Sequence, residues 1–233
     1  MLSPTAKRAV EAYGGEERWL AATAVEATVS TGGLIFPMKW QRRFRRTQVR
    51  IEVAQPHARI QPIGRHGNIG ILDGEAVRLE DANGNVIAAR ADPRRHFPYG
   101  RRSFWWDDLD LTYFSGYAFW NYLSLPALLL REDIAWTELS EHSLEARFPP
   151  GLPSHCEVQR FYFDAATGLL RRHDYTAEAF GGWARGAHIV QAHGDWEGLP
   201  FPSKRRVTPR GPGGRPLPVP VLVWIEVHDW RLV

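Results

Sequence analysis

Cysteine is almost missing from the sequence: Cys156 stands alone, which excludes an internal disulfide and leaves no second thiol for a cysteine-built zinc site. The opening segment, Met1 to Arg8, has no apolar run of the signal-peptide kind and no cysteine to carry a lipid, so a cytoplasmic protein is expected. Nine histidines are present, yet no H-x-H, H-E-x-x-H or Cys/His spacing occurs among them, and no metal site is expected. A phosphate-binding Walker loop, a G-x-G-x-x-G fingerprint and a G-x-S-x-G nucleophile elbow are also missing. Nucleotide-dependent chemistry and standard serine hydrolysis are therefore disfavoured, and no cofactor is expected. Charge of one sign is in short supply as well: 29 Lys+Arg against 26 Asp+Glu leave a net charge of only +3.

Apolar and aromatic residues are plentiful, with ten tryptophans and 44% hydrophobic residues in 233, enough for one large core. One domain spanning residues 1–233 is expected. Ser3-Pro4 marks a helix start, and Gly14-Gly15 stops it ahead of a short turn carrying Trp19. From Ala24 the period becomes two. Strand signals follow at 24–30, at 34–53 (one long or two successive strands, bulged near Thr47), and at 57–63, 68–72, 75–81 and 86–91, with hairpin pairs at Asp73-Gly74 and Asn83-Gly84. The second half alternates again at 134–148, 157–163, 169–176, 187–193, 201–209 and 219–230. Between the halves, Phe104 to Arg131 reads as one long helix, apolar on most sides and kinked by Pro126. Leu111 to Leu130 carries no formal charge over twenty residues, but Asn121, three tyrosines and Pro126 within it, and three aspartates before it, argue against a membrane span. No stable membrane insertion is expected. The order predicts a mainly β protein: a single curved antiparallel sheet of about ten to twelve strands forming an incomplete barrel, with an N-terminal helix and the long central helix packed in its concave face.

Two segments carry a resemblance, Val10-Glu11-Ala12-Tyr13-Gly14-Gly15 with Trp19, and Phe161-Tyr162-Phe163-Asp164-Ala165-Ala166-Thr167-Gly168-Leu169-Leu170. In this element order they resemble the bacterial lipoprotein-carrier (LolA/LolB-like) superfamily, where a helix precedes an incomplete barrel and helices plug its concave face. Members include outer-membrane lipoprotein carriers, related lipid-binding proteins and an intramolecular-rearrangement enzyme of pigment biosynthesis. The resemblance implies the fold and an apolar cavity. It brings no catalytic residue, and the missing export signal and lipobox depart from the carriers.

The residues themselves offer several candidate sites. Trp105, Trp106, Tyr113, Tyr117, Trp120 and Tyr122 could line a pocket for a flat or greasy ligand or simply form core. Asp107, Asp108 and Asp110 stand at the start of the central helix, where capping accounts for at least one and Asp108 could face the cavity as a proton acceptor. His173 and Tyr175 share a strand face with Leu169, and either could transfer a proton if that face is inward. His188 and His193 on the next strand differ in parity, so only one can join them unless a bulge intervenes. An inward arginine, from Arg43, Arg160 or Arg206, could clamp a ligand carboxylate. The run Arg42, Arg43, Arg45, Arg46 and Arg50 splits across two strand faces, so nucleic-acid binding is not expected. The leading expectation is a protein that binds an apolar or aromatic small molecule, or an acyl chain, in the half-barrel. The alternative is a cofactor-independent enzyme of specialised metabolism, a cyclase, isomerase or dehydratase, moving one proton with His173, Tyr175 or Asp108. A lipid-transfer module using the surface near Pro126 to Leu130 is a third possibility. No partner protein is indicated.

Overall fold

The computed structural model describes residues 2–233. Two helices, α1 (Pro4–Ala12) and α2 (Glu16–Ala21), lead into strand β1 (Ala24–Gly32), a one-turn helix α3 (Ile35–Met38), and strands β2 (Thr47–Glu52), β3 (His57–Ile63), β4 (Asn68–Asp73), β5 (Ala76–Glu80) and β6 (Val86–Arg90). Helices α4 (Asp108–Leu123) and α5 (Leu125–Leu130) follow. The chain then returns through β7 (Ala135–Ser140), β8 (Ser143–Arg147), β9 (Val158–Phe163), β10 (Leu170–Thr176), β11 (Arg185–Trp196), β12 (Leu199–Pro209) and β13 (Val223–Leu232).

All thirteen strands join one antiparallel sheet in the order β6-β5-β4-β3-β2-β1-β13-β12-β11-β10-β9-β8-β7. The first and last strands pair in the middle, Val25 opposite Leu232, and the two free edges, β6 and β7, are consecutive in the chain. The segment joining these edges must therefore cross the open side of the sheet, which is where α4 lies. The sheet does not close; it is an incomplete barrel with a helix as its filling.

α4 is buried from Leu109 to Leu123 without a break, as its all-round apolar sequence requires. Its start is fixed by a reciprocal cap: the Asp110 N–H donates to Asp107 Oδ1 at 2.8 Å and the Asp107 N–H to Asp110 Oδ2 at 3.2 Å. Three arginines close over these carboxylates. Arg90 of edge strand β6 and Arg101 reach both aspartates, and Arg102 Nε donates to Asp110 Oδ1 at 2.7 Å. The other end stops at Ser124, because Pro126 has no N–H to give to the carbonyl of Tyr122 four residues back. The single kinked helix expected over 104–131 is thus two helices.

Close approach of α4 to the sheet depends on glycine. A Cβ on Gly116 would stand 2.7 Å from Leu72 Cβ on β4, nearer than packed carbons tolerate. Gly116→Val is expected to destabilise the protein by about 2–3 kcal/mol through overpacking, seen as a lower urea midpoint; an unchanged midpoint would mean that this contact is slack.

Two strand expectations need correction. The stretch 34–53 is not one or two strands: Gly33 takes φ 116°, the N–H groups of Leu34 and Ile35 donate to Val221 and Leu222, and Trp40 and Arg46 adopt left-handed φ values of 57° and 46°. Only 47–52 joins the sheet. The stretch 134–148 is a hairpin of two strands turning at Glu141-His142. No helix among the described residues is long and apolar enough to cross a membrane.

Candidate functional site

Where the C-terminal end of α4 meets β10, β11 and β12, the concave face changes from hydrocarbon to a buried polar centre. β10 contributes His173 and Tyr175, β11 His188 directly opposite His173, β12 Arg205, the loop before β9 His155, and α4 Tyr117 and Tyr122. All are buried, with His188 at 0% and Arg205 at 2% exposure.

Hydrogen bonds thread these groups together. Tyr122 Oη lies 2.6 Å from His155 Nε2 and 2.9 Å from Tyr175 Oη, and Tyr117 Oη approaches His155 Nδ1 at 3.3 Å. The His155 ring stacks on Tyr175 with centroids 3.8 Å apart. Gln159 donates its amide to the Cys156 carbonyl at 2.9 Å, so its Oε1 must accept from His173 Nε2 at 2.7 Å. At the edge of the cluster, the Leu170 N–H donates to Tyr13 Oη at 3.1 Å, which leaves that hydroxyl to donate to His193 Nε2 at 3.2 Å.

Two members are not satisfied in this way. Neither ring nitrogen of His188 has a hydrogen-bond partner, a deficit worth about 1–3 kcal/mol per buried group; its ring meets Tyr122 edge to face at 4.5 Å. Arg205 makes one hydrogen bond, from Nη2 to the Tyr122 carbonyl at 2.8 Å, the acceptor that Pro126 leaves free. Its guanidinium lies 5.2 Å from the Tyr122 ring centroid, and no carboxylate among the described residues pairs with it.

Burial makes the centre neutral apart from Arg205. It pulls His155 down to about 3 and His193 to about 4, and His173 and His188 well below the usual imidazole range, with Arg205 adding to the effect on the last three. Burial also pushes Tyr13 up to about 12 and Tyr117, Tyr122 and Tyr175 above their ordinary value. Arg205 itself falls to about 10 because burial outweighs the tyrosines around it.

A crevice of about 10 Å³ reaches this centre between α2, the α4–α5 joint, β12 and β13. Tyr13 and Tyr122 line it together with Trp19, Leu125, Phe201 and Trp230. Larger openings lie elsewhere. A cleft of about 800 Å³ is lined by Glu26, Asp195, Asp229, Arg50, Arg59 and Arg231, three charges of each sign, with Arg50 and Arg231 both paired to Glu26. It is an open surface whose charges balance in number, unlike the concave centre.

The structure brings His173, Tyr175, His188, Tyr117 and Tyr122 together, with His193 at the edge, and leaves the other candidate residues elsewhere, Trp105 among them at the surface. Asp108 sits half-buried against Gly64; Tyr122 is fourteen residues further along α4, roughly 21 Å at 1.5 Å per residue, so Asp108 does not meet His173. Trp106 packs on Phe97, Phe114 and Phe180, Tyr113 stacks on Phe97, and the Trp120 indole donates to the Glu52 carbonyl at 2.9 Å inside the core. Arg160 is outward and pairs with Glu145 at 2.9 Å. Arg206 is exposed, and its neighbour Arg205 takes the inward place. That parity was available in the sequence, since Leu199, Phe201 and Val207 of the same strand are all odd-numbered and buried. Bulges at Val190/Ala192 and Ala192/His193 let both His188 and His193 face inward. A slip between Leu170 and Arg172 makes Leu170, not Leu169, the inner neighbour of His173. His155 lies in a loop with no periodicity to announce it. Pro126 to Leu129 are buried, so they offer no surface to a membrane; the exposed aromatics Trp40, Tyr99, Phe104, Trp105 and Trp183 belong to other loops. No group of three or more His, Cys, Asp or Glu among the described residues is placed to hold a metal ion.

An unclosed antiparallel sheet crossed by buried helices, with a polar centre on its inner wall, defines a LolA-like half-barrel. Among solved structures the chain is similar to a LolA superfamily protein from Nitrosomonas europaea, with a TM-score of 0.52 and 6% identity over 100% of this chain and 94% of that one. It is also similar to a DUF1329 family protein from Desulfovibrio piger, with a TM-score of 0.51 and 11% identity over 98% and 91%. At such identities the likeness is one of fold. No family model and no curated protein matches the sequence.

Proposed function

We propose that this protein binds an apolar or aromatic small molecule, or an acyl chain, on the concave face, with the ligand entering at the α4–α5 joint. The observation that carries this reading is a pair of groups buried behind an apolar crevice, His188 with no hydrogen-bond partner and Arg205 with one carbonyl and no counter-charge. A core that served packing alone would gain by replacing them with hydrocarbon. The crevice is too small for a ligand as it stands, so binding requires α5 to move. α5 is six residues long, joined to α4 through the non-helical Ser124 and packed against α1 and α2, so it can move as a short separate segment while α4 stays on the sheet.

A proton-transferring enzyme is the second reading, favoured by the hydrogen-bonded chain from Tyr117 through His155 to Tyr122 and Tyr175. Burial weighs against it, because a general base works best with a pKa near the operating pH and His155 titrates near 3.

Nile red, a neutral dye whose emission responds to polarity, tests the binding reading. One equivalent is expected to bind with a blue-shifted emission, and Phe201→Ala, which widens the crevice, should raise uptake severalfold. Absence of any blue shift in both proteins would overturn the reading.

A further inference from the structure

We infer that the ligand carries a single anionic head, a carboxylate, received by Arg205 at the inner end of the crevice while the apolar body lies against α5 and β12. This rests on the reading of the concave centre as a ligand site, and it adds the charge and number of the recognised group.

The other buried ionic groups of this chain all have partners. Asp110, at 0% side-chain exposure, has three arginines. Asp174, at 1%, has Arg172 at 2.6 Å and Arg210 at 3.2 Å. Lys39, the other buried cation, donates to the carbonyls of Arg102 and Ser103 at 2.8 and 2.7 Å and lies near the faces of Trp106 and Phe180. Arg205 alone presents five N–H donors with one protein acceptor and no counter-charge. Burying an ion in that state costs several kcal/mol, far more than one cation–π contact returns.

The surroundings determine what would complete it. His173, His188, His193, Tyr13, Tyr122 and Tyr175 face Arg205 and all stay neutral near pH 7, so the centre holds one net positive charge. A monoanion cancels that charge, whereas a phosphate dianion leaves a net negative charge buried among tyrosines. A guanidinium fork matches the two oxygens of a carboxylate, and the unpartnered His188 supplies one further N–H. Tyr13 and Tyr122 line the crevice, and the Arg205 guanidinium lies 5.2 Å from the Tyr122 ring centroid, so one side chain separates the crevice from the cation. Every other lining side chain of that crevice is apolar or aromatic.

The test uses the whole chain near pH 8 and three probes of one chain length, dodecanoate, dodecanol and dodecyl phosphate, measured by calorimetry and by displacement of Nile red. Dodecanoate is expected to bind about tenfold or more tighter than dodecanol, the scale of a charge-assisted hydrogen bond, and tighter than dodecyl phosphate. In Arg205→Met the dodecanoate preference should fall to within about threefold of dodecanol with dye binding retained, and Arg205→Lys should keep part of it. Equal binding of dodecanoate and dodecanol by the wild-type protein would overturn the anion assignment while leaving the apolar site standing. A preference that survives Arg205→Met would remove Arg205 from the role, and tightest binding of the phosphate would overturn the carboxylate. Should Arg205→Met not fold, the wild-type ratio and Arg205→Lys decide. Binding of no probe and no dye would instead count against the binding reading itself.

Discussion

Between pH 7 and pH 5 the protein is expected to lose folding stability, by about 2 kcal/mol from one buried histidine alone and by more from two others. The cause is the set of fully buried histidines, His155, His173 and His188, each held neutral in the folded state with its pKa depressed by burial. In the unfolded chain each titrates near 6.5. Below that value the unfolded state binds protons that the folded state refuses, so stability falls as pH drops, beginning near 6.5 and continuing toward the folded value, about 3 for His155. At about 1.4 kcal/mol per pH unit, His155 alone costs about 2 kcal/mol over this interval, and His173 and His188 act in the same direction. Urea midpoints at pH 7, 6 and 5 measure the loss. A midpoint that stays flat over this range would show that the histidines are solvated or charged in the folded state, against the geometry described here.

Asp110→Ala is expected to destabilise the fold by about 3–5 kcal/mol, the scale of leaving buried charges without their partner. The carboxylate is fully buried, accepts from Arg90, Arg101 and Arg102, and forms half of the α4 cap. Its loss would leave Arg102 without a carboxylate, leave Arg90 and Arg101 to share Asp107 alone, and weaken the tie between edge strand β6 and the helix. At roughly 3 °C per kcal/mol for a chain of this size, Tm should fall by about 10–15 °C. Asp108→Asn supplies the contrast: two residues away in sequence, Asp108 forms no ion pair among the described residues and should shift stability by no more than about 0.5 kcal/mol. Equal, small effects of the two substitutions would mean that the arginine cluster is solvated and that α4 is anchored elsewhere.

These aspartates show where the sequence was readable. Three carboxylates before an apolar run announce a helix start, and the absence of a polar face on the following residues announces a buried helix, so α4 and its place against the sheet follow from pattern alone. Which aspartate the core would enclose does not, because that depends on Arg90 and Arg101 arriving from other elements. The strand faces divide in the same way. On β12 the odd positions Leu199, Phe201 and Val207 mark an apolar face, and that alternation points to Arg205 over Arg206. On β11 and β10 no such reading was possible: bulges at Val190/Ala192, Ala192/His193 and Leu170/Arg172 shift the parity, and a bulge leaves little trace in side-chain pattern. His155 enters from a loop with no period of its own, held where its carbonyl accepts from the Glu178 N–H at 3.2 Å and the Cys156 carbonyl from the Gln159 amide at 2.9 Å. The stretch 34–46 failed as a strand because its path is set by left-handed residues and by the β13 end of the sheet, neither of which its apolar content reveals.

In the function proposed above, the concave centre around Arg205 and His188, and not an open cleft, receives the ligand. Histidine ring resonances followed during a dodecanoate titration test it directly, since one probe residue stands in each place. The signals of His173 and His188 are expected to move, while His228, which lines the 800 Å³ cleft on β13, and the exposed His66 stay fixed. Movement of His228 with His173 and His188 unchanged would place the ligand on the outer cleft and contradict the account.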